Sequence, residues 1–79
     1  MTRFIAITFT DHALERKRLR RVGRDEVETV LANGEGYLDE DGTWVYDLEI
    51  GRGRLIRVIV VEEGERARVI TVIRLRKST

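Results

Sequence analysis

The hydrophobic pattern changes at Gly36 from helical spacing to alternation, and the alternation continues almost to the end of the chain. Four strands are predicted in this part, because β-branched and aromatic residues recur at every second position between turn residues. They cover residues 36–40, 43–50, 55–62 and 66–76. Asp41-Gly42 is the strongest hairpin signal among the turns. Four successive strands of this kind predict a mostly antiparallel sheet.

One short strand and two helices are predicted ahead of the alternating part. The strand covers residues 3–9, and Thr10 can cap a first helix over about residues 11–21. A second helix begins at Gly23, where Glu26 can reach back to the cap, and Asn33-Gly34 predicts a left-handed stop. The order β-α-α-β-β-β-β therefore predicts an α+β domain with two helices packed on one face of the sheet.

The first predicted helix lacks an apolar stripe, because Leu14 and Leu19 lie on different sides of it at about 100° per residue. The small Ala13 could let the backbone approach the sheet, while long cationic stems extend past it. The arc around Ala13 carries His12, Arg16, Lys17 and Arg20. We therefore expect the polar arc of this helix to be the docked one.

Composition limits the classes of protein that fit. With 79 residues and no cysteine, the chain is expected to form one domain, residues 1–79, without a disulfide framework. Residues 16–24 carry six bases and no acid, whereas residues 35–49 carry six acids and no base. A single histidine and scattered carboxylates predict no metal site, and we expect no cofactor. No apolar run approaches the roughly 20 residues that span a bilayer, so we expect a cytoplasmic protein with no membrane partner.

The segment FTDHALERKRLRRVGRDEVETVLAN resembles the opening of a family of small bacterial domains of unknown function, whose first helix begins H-A-x-x-R. His12, Ala13 and Arg16 match this motif, and Arg20 matches its second arginine. The closing segment LIRVIVVEEGERARVITVIRLRK is similar to the end of that family and of BrnT-type toxins, with residues 70–72 matching its closing strand. The chain departs from the family pattern at three positions: Lys17, Arg21 and Gly23.

The resemblance implies a RelE/ParE-like fold and a metal-independent ribonuclease of a toxin–antitoxin system, with an acidic antitoxin as partner. Such cleavage uses the 2′-hydroxyl as nucleophile and needs a base, an acid and cations that stabilise the phosphorane. His12 is the only histidine, and an unperturbed imidazole titrates near neutral pH. The helix N-terminus and Arg16 disfavour the imidazolium form, whereas Asp11 and Glu15 favour it. The acid and base roles of His12 both stay open.

The candidate catalytic residues are His12, Arg16, Arg57, Thr71 and Arg74. The candidate RNA-binding residues are Lys17, Arg20, Arg76 and Lys77. Alternation puts Thr71 and Arg74 on opposite faces of a regular strand, so both join one site only if the strand bends or ends between them. Arg57 has a structural alternative, a cross-strand ion pair with Asp47 or Glu49.

A second class of function fits the same residues. A non-catalytic binding module could use the basic arc and an open sheet face to hold an acidic protein partner or a second copy of the chain, as a homodimer. RNA cleavage that depends on His12 separates the two classes, because a binding module cleaves no RNA.

Overall fold

A computed structural model describes residues 4–51 and 53–76 of the chain. Its elements are β1 (Ala6–Phe9), α1 (Asp11–Leu19), α2 (Arg24–Asn33), β2 (Glu35–Leu38), β3 (Trp44–Glu49), β4 (Arg54–Glu63) and β5 (Arg66–Arg76). The predicted order of helices and strands is confirmed. α1 ends before the predicted residue 21, and Arg21 has a positive φ of 55°.

The five strands form one mixed sheet in the order β1-β5-β4-β3-β2. β1 lies parallel to β5 at one edge, and the other neighbouring strands pair antiparallel. A register shift interrupts the pairing of β4 with β5: Val60 lies opposite Val69, but Ile59 lies opposite Thr71. Ile70 is therefore the extra residue of a β-bulge, and the alternation of β5 changes phase at this point.

The hydrophobic core lies between one face of this sheet and the two helices. α1 packs on β5 and β1, whereas α2 packs on β3 and β4. The strands bury a continuous group of side chains on this face: Ile56, Val58, Val60, Ala67, Val69 and Val72. α2 contributes the predicted stripe of Val27, Val30 and Leu31. Neither helix of the described residues is long and apolar enough to cross a membrane.

α1 docks through Ala13 and the half-buried Arg16 and Lys17 of the predicted polar arc, whereas His12 and Arg20 of that arc are exposed. Ala13 is fully buried, while Leu14 and Leu19 are 46% and 61% exposed. Arg16 and Lys17 are half-buried beside Ala13, and the Lys17 Nζ lies 5.9 Å from the centre of the Phe9 ring. Because a residue as small as Ala13 lets the helix approach the strands closely, long cationic side chains flank the contact without entering the core.

Local hydrogen bonds confirm both predicted helix starts. The Thr10 Oγ1 accepts a hydrogen bond from the Ala13 amide at 3.1 Å, which caps α1. At the start of α2, the Gly23 amide donates to the Glu26 Oε1 at 3.0 Å. Both bonds satisfy backbone or cap groups that lack a partner within the helix.

The end of α2 lies at the predicted residue, but the predicted left-handed conformation of Gly34 is wrong. Gly34 is extended, with φ −75° and ψ 161°. A Cβ atom there would lie 2.5 Å from the Val30 carbonyl oxygen and 2.8 Å from the Asp47 carbonyl oxygen. Glycine is needed because the Val30 and Asp47 carbonyl oxygens leave no room for a Cβ, and not because of its φ angle.

The predicted hairpin at Asp41-Gly42 is confirmed between β2 and β3. Gly42 has a positive φ of 87°, and the Asp39 amide donates to the Thr43 carbonyl oxygen at 2.8 Å. Asp41 accepts hydrogen bonds from the Thr43 hydroxyl and amide, which lower the pKa of its carboxyl group. These bonds stabilise the hairpin turn.

Candidate nucleic-acid interface

The helix α1 carries a row of three residues spaced one turn apart: His12, Arg16 and Arg20. Residues four apart lie on the same side of a helix, so this row follows α1 from its first turn to its C-terminal cap. His12 and Arg20 are exposed and Arg16 is half-buried. The row can therefore be reached by a ligand along its whole length.

The end of β5 adjoins the end of this row. The Arg74 Nη1 donates a hydrogen bond to the Arg20 carbonyl oxygen at 3.2 Å. This bond joins two segments that are 54 residues apart. A guanidinium group at the C-terminus of a helix is also favoured by the helix dipole. The structure thus brings the candidate residue Arg74 together with the α1 row.

The bulge at Ile70 determines which residues of β5 face the helix-covered side of the sheet. Beyond it, Val72 lies opposite the buried Val58, and Arg74 lies opposite the buried Ile56. Val72, Arg74 and Arg76 therefore point to the helix-covered side of the sheet, because alternate residues share a face. Lys77, the next candidate along the chain, lies outside the described residues.

Arg54 is a residue of this region that the sequence analysis missed. It lies opposite Arg76 in the pairing of β4 with β5. Together with Arg74 and Leu75, these two arginines line a surface depression of about 380 Å³. The sequence indicated only that a turn at Glu63-Gly64 brings the start of β4 near the end of β5; the register that places Arg54 opposite Arg76 comes from the structure.

Few of the arginines in this region have a carboxylate partner. Three arginines of the described residues form ion pairs with carboxylates: Arg24 with Glu28, Arg57 with Asp47, and Arg68 with Glu63. Within the same part of the chain, no carboxylate pairs with Arg16, Arg20, Arg54, Arg74 or Arg76. The side of the molecule formed by α1 and the end of β5 therefore carries uncompensated positive charge.

Arg57 and Thr71 lie on the opposite face of the sheet. The Arg57 Nε and Nη2 donate to the two carboxylate oxygens of Asp47 at 2.8 and 3.0 Å. This pair raises the pKa of the Arg57 guanidinium further above its already high ordinary value. Thr71 lies opposite Ile59 on that same face, and β5 continues regularly from Thr71 to Arg74. The structure does not bring these two candidates to the α1 row.

The His12 side chain forms no hydrogen bond or ion pair with any other residue that the structure describes. It lies in the first turn of α1, one turn before Arg16. Over residues 4–51 and 53–76, no group of three or more histidines, cysteines or acids is arranged to hold a metal ion. The imidazole is therefore exposed and available beside a guanidinium group.

Comparison with known proteins gives one family. No curated protein and no solved structure matches the chain. Residues 9–74 match a family described as a domain of unknown function, DUF4258. The match extends from the end of β1 through both helices to Arg74 in β5, and so includes the whole α1 row. Because it covers well over half of the 79 residues, the chain belongs to the DUF4258 family.

Proposed function

We propose that this domain is a toxin-like, metal-independent ribonuclease that binds RNA along α1 and the end of β5. The main support is the group of arginines without carboxylate partners, Arg16, Arg20 and Arg74, which adjoins the only histidine of the chain. Cations of this kind attract the phosphate backbone of RNA. The resemblance of the closing segment to BrnT-type toxins, and the RelE/ParE-like grouping that the family resemblance implies, support the same activity.

In the proposed reaction, the 2′-hydroxyl oxygen attacks the adjacent phosphorus and the bond to the 5′-oxygen of the next nucleotide breaks. The 2′-hydroxyl loses a proton, and the leaving 5′-oxygen gains one, so the products are a 2′,3′-cyclic phosphate and a 5′-hydroxyl. His12 carries out one of these proton transfers, and water carries out the other. Arg16, one turn from His12, stabilises the negative charge of the phosphorane.

The experiment compares RNA cleavage by the purified protein and three alanine variants in the presence of a metal chelator. His12→Ala should lose cleavage while still binding RNA, and Arg16→Ala should weaken both. Arg18→Ala is the matched control, because Arg18 is exposed on α1 but lies on the side away from the docked Ala13. It should cleave like the unmodified protein. Cleavage at the full rate by His12→Ala contradicts the assignment.

A growth assay tests the toxin part of the proposal. Induced expression of the unmodified chain should arrest growth, and expression of His12→Ala at the same level should not. Sequencing of cellular RNA should then show new 5′-hydroxyl ends only with the unmodified protein. Growth arrest without such ends would contradict RNA cleavage as its cause.

The same cationic side is proposed to receive an acidic antitoxin protein. Because it carries arginines without carboxylate partners, an acidic polypeptide should compete with RNA for it. Competition should weaken as salt is raised, since exposed charges are screened over about 10 Å at 0.1 M salt. Binding that does not change with salt would contradict an electrostatic partner site.

A second candidate function, self-association, is supported by the open face of the sheet, which is the face opposite the helices. Apolar side chains there are exposed or half-buried, including Tyr37, Leu55, Ile59 and Ile73. Both Arg57 and Arg68 on this face are already ion-paired, so it offers an acidic partner little charge to bind. A second copy of the chain would place its own apolar open face against this one, and it therefore fits the open face better than an acidic partner does.

Sedimentation at a series of protein concentrations tests this second candidate. The unmodified chain should form a dimer as its concentration rises, and Ile59→Glu should stay monomeric with an unchanged circular dichroism spectrum. Glutamate at this position puts a charge in the middle of the apolar contact. A monomer at every concentration of the unmodified chain would contradict self-association.

A further inference from the structure

Three arginines line the depression at the open end of the β4–β5 hairpin. Arg54 and Arg76 lie directly opposite each other on neighbouring strands, and Arg74 lies two residues from Arg76 on the same side. Like charges at directly opposite positions of a sheet repel. No carboxylate of the described residues compensates this repulsion. An anion bound between the arginines would remove it.

We propose that Arg54, Arg74 and Arg76 form a binding site for a dianionic phosphate group. Guanidinium groups bind phosphate oxygens through paired hydrogen bonds, and their planar geometry suits this anion. Three of them supply more charge than a phosphodiester carries, since a diester has one negative charge. A phosphate monoester carries about −1.5 to −2 charges at pH 7. The site therefore favours a monoester or inorganic phosphate over a diester.

Two hydrogen bonds restrain the framework of this site before any anion binds. The Arg74 side chain is held by the Arg20 carbonyl oxygen at 3.2 Å. The backbone of Arg54 is held at its carbonyl oxygen, which accepts from the Ile50 amide at 2.7 Å. Groups that are already ordered lose less conformational freedom on binding. The depression of about 380 Å³ has room for a phosphate group and leaves it open to solvent on one side.

The position of the site suggests what would carry the phosphate. Arg74 links the depression to the C-terminal end of the α1 row. An RNA bound along that row has only one kind of monoester, the phosphate at a chain end. In this form the inference rests on the proposed function: the site binds the terminal phosphate of an RNA whose adjoining nucleotides follow α1.

The first experiment uses inorganic phosphate and the full chain, so that it does not depend on RNA cleavage. Calorimetric titration at constant ionic strength should show phosphate binding to the unmodified protein and about tenfold weaker binding to Arg54→Ala and Arg76→Ala, a loss of about 1.4 kcal/mol. Arg66→Ala is the matched control, because Arg66 is an exposed arginine at the opposite end of β5. It should bind phosphate normally.

The charge of the anion gives a second readout. Phosphate binding should strengthen between about pH 5 and pH 8, because inorganic phosphate, like a phosphate monoester, changes from a monoanion to a dianion within this range. Sulfate, which stays dianionic, should bind equally across this range, and dimethyl phosphate should bind about tenfold more weakly than phosphate. Equal binding of phosphate and dimethyl phosphate, or an equal loss in Arg66→Ala, would overturn the site.

The last experiment compares RNAs of one sequence with a 5′-phosphate, a 3′-phosphate or only hydroxyl ends, bound to His12→Ala so that none is cleaved. One phosphorylated RNA should bind more tightly, and Arg54→Ala in the same background should remove the preference. Equal binding of all three RNAs would overturn the terminal-phosphate role. If the first experiment has shown phosphate binding, that result would assign the site to a free phosphate compound. Cleavage that does not depend on His12 would overturn the proposed function but not this site.

Discussion

The ion pair between Arg57 and Asp47 predicts that Arg57 stabilises the fold and takes no part in RNA cleavage. Two guanidinium nitrogens contact the two carboxylate oxygens at 2.8 and 3.0 Å. The two side chains are 33% and 22% exposed, so the pair is partly shielded from water. Asp47 also lies opposite Glu35 in the pairing of β2 with β3, so removal of Arg57 would leave two opposed carboxylates.

This partial burial determines how much the ion pair contributes to the free energy of unfolding. Fully exposed ion pairs contribute about 0.2–1 kcal/mol, whereas breaking a fully buried pair costs about 3–5 kcal/mol. For a bidentate pair of intermediate exposure we expect a coupling energy of about 1.5 kcal/mol. Arg57→Ala should lower the free energy of unfolding by about 2 kcal/mol, because it also leaves the carboxylates uncompensated. For a domain of this size, that is a decrease in Tm of about 8–16 °C.

Urea denaturation of four proteins measures the coupling: the unmodified chain, Arg57→Ala, Asp47→Ala and the double variant. The double variant should be more stable than the sum of the single losses predicts, by the coupling energy. RNA binding and cleavage by Arg57→Ala, measured below its Tm, should equal those of the unmodified chain. A coupling below about 0.5 kcal/mol would refute the structural role, and loss of cleavage by folded Arg57→Ala would return Arg57 to the catalytic residues.

Three further changes test the local structure. Thr10→Ala removes the hydroxyl that caps α1 and should lower the free energy of unfolding by about 1 kcal/mol in urea denaturation, whereas Thr10→Ser should retain it. Gly34→Ala forces a Cβ against two backbone carbonyl oxygens and should cost about 2–3 kcal/mol; an unchanged Tm would show that the chain can move away from β3. Thr43→Val removes the side-chain hydrogen bond that, with the Thr43 amide, lowers the pKa of Asp41. A lowered folded-state pKa stabilises the fold above the ordinary carboxyl value of about 3.9, and this stabilisation is lost as pH falls through the folded-state pKa. Thermal denaturation at a series of acidic pH values should therefore show a weaker pH dependence for Thr43→Val, and identical curves would contradict the hydrogen bond.

Several features of the fold could be predicted because their causes lie within a few residues. Thr10 and the Gly23–Glu26 pair mark the helix starts through hydrogen bonds that span three residues. The Asp41-Gly42 turn needs a positive φ, which glycine supplies. The docking of α1 through Ala13 could also be anticipated, because no other side of that helix offers a better approach to the sheet.

The predictions that were wrong or incomplete concern contacts between distant segments of the chain. Position 34 needs glycine partly because the Asp47 carbonyl oxygen of β3 lies 2.8 Å from where a Cβ would be, and no local pattern shows that approach. Arg54 belongs to the cationic depression only through the register of β4 with β5. Arg57 and Thr71 were predicted in one candidate set with His12, but the sheet face that each residue occupies depends on strand pairing.

By itself the sequence determined the order of elements, the helix caps and the concentration of arginine on α1, because periodicity, capping and charge are properties of neighbouring residues. Only the tertiary structure decided which arginines share a surface. The bulge at Ile70 keeps both Val69 and Val72 buried against the helices, and in doing so it shifts the alternation of β5. Arg74 then faces the end of α1, while Thr71 faces away from it with Arg57. The packing of those two valines is the physical reason that the cationic side has its present composition.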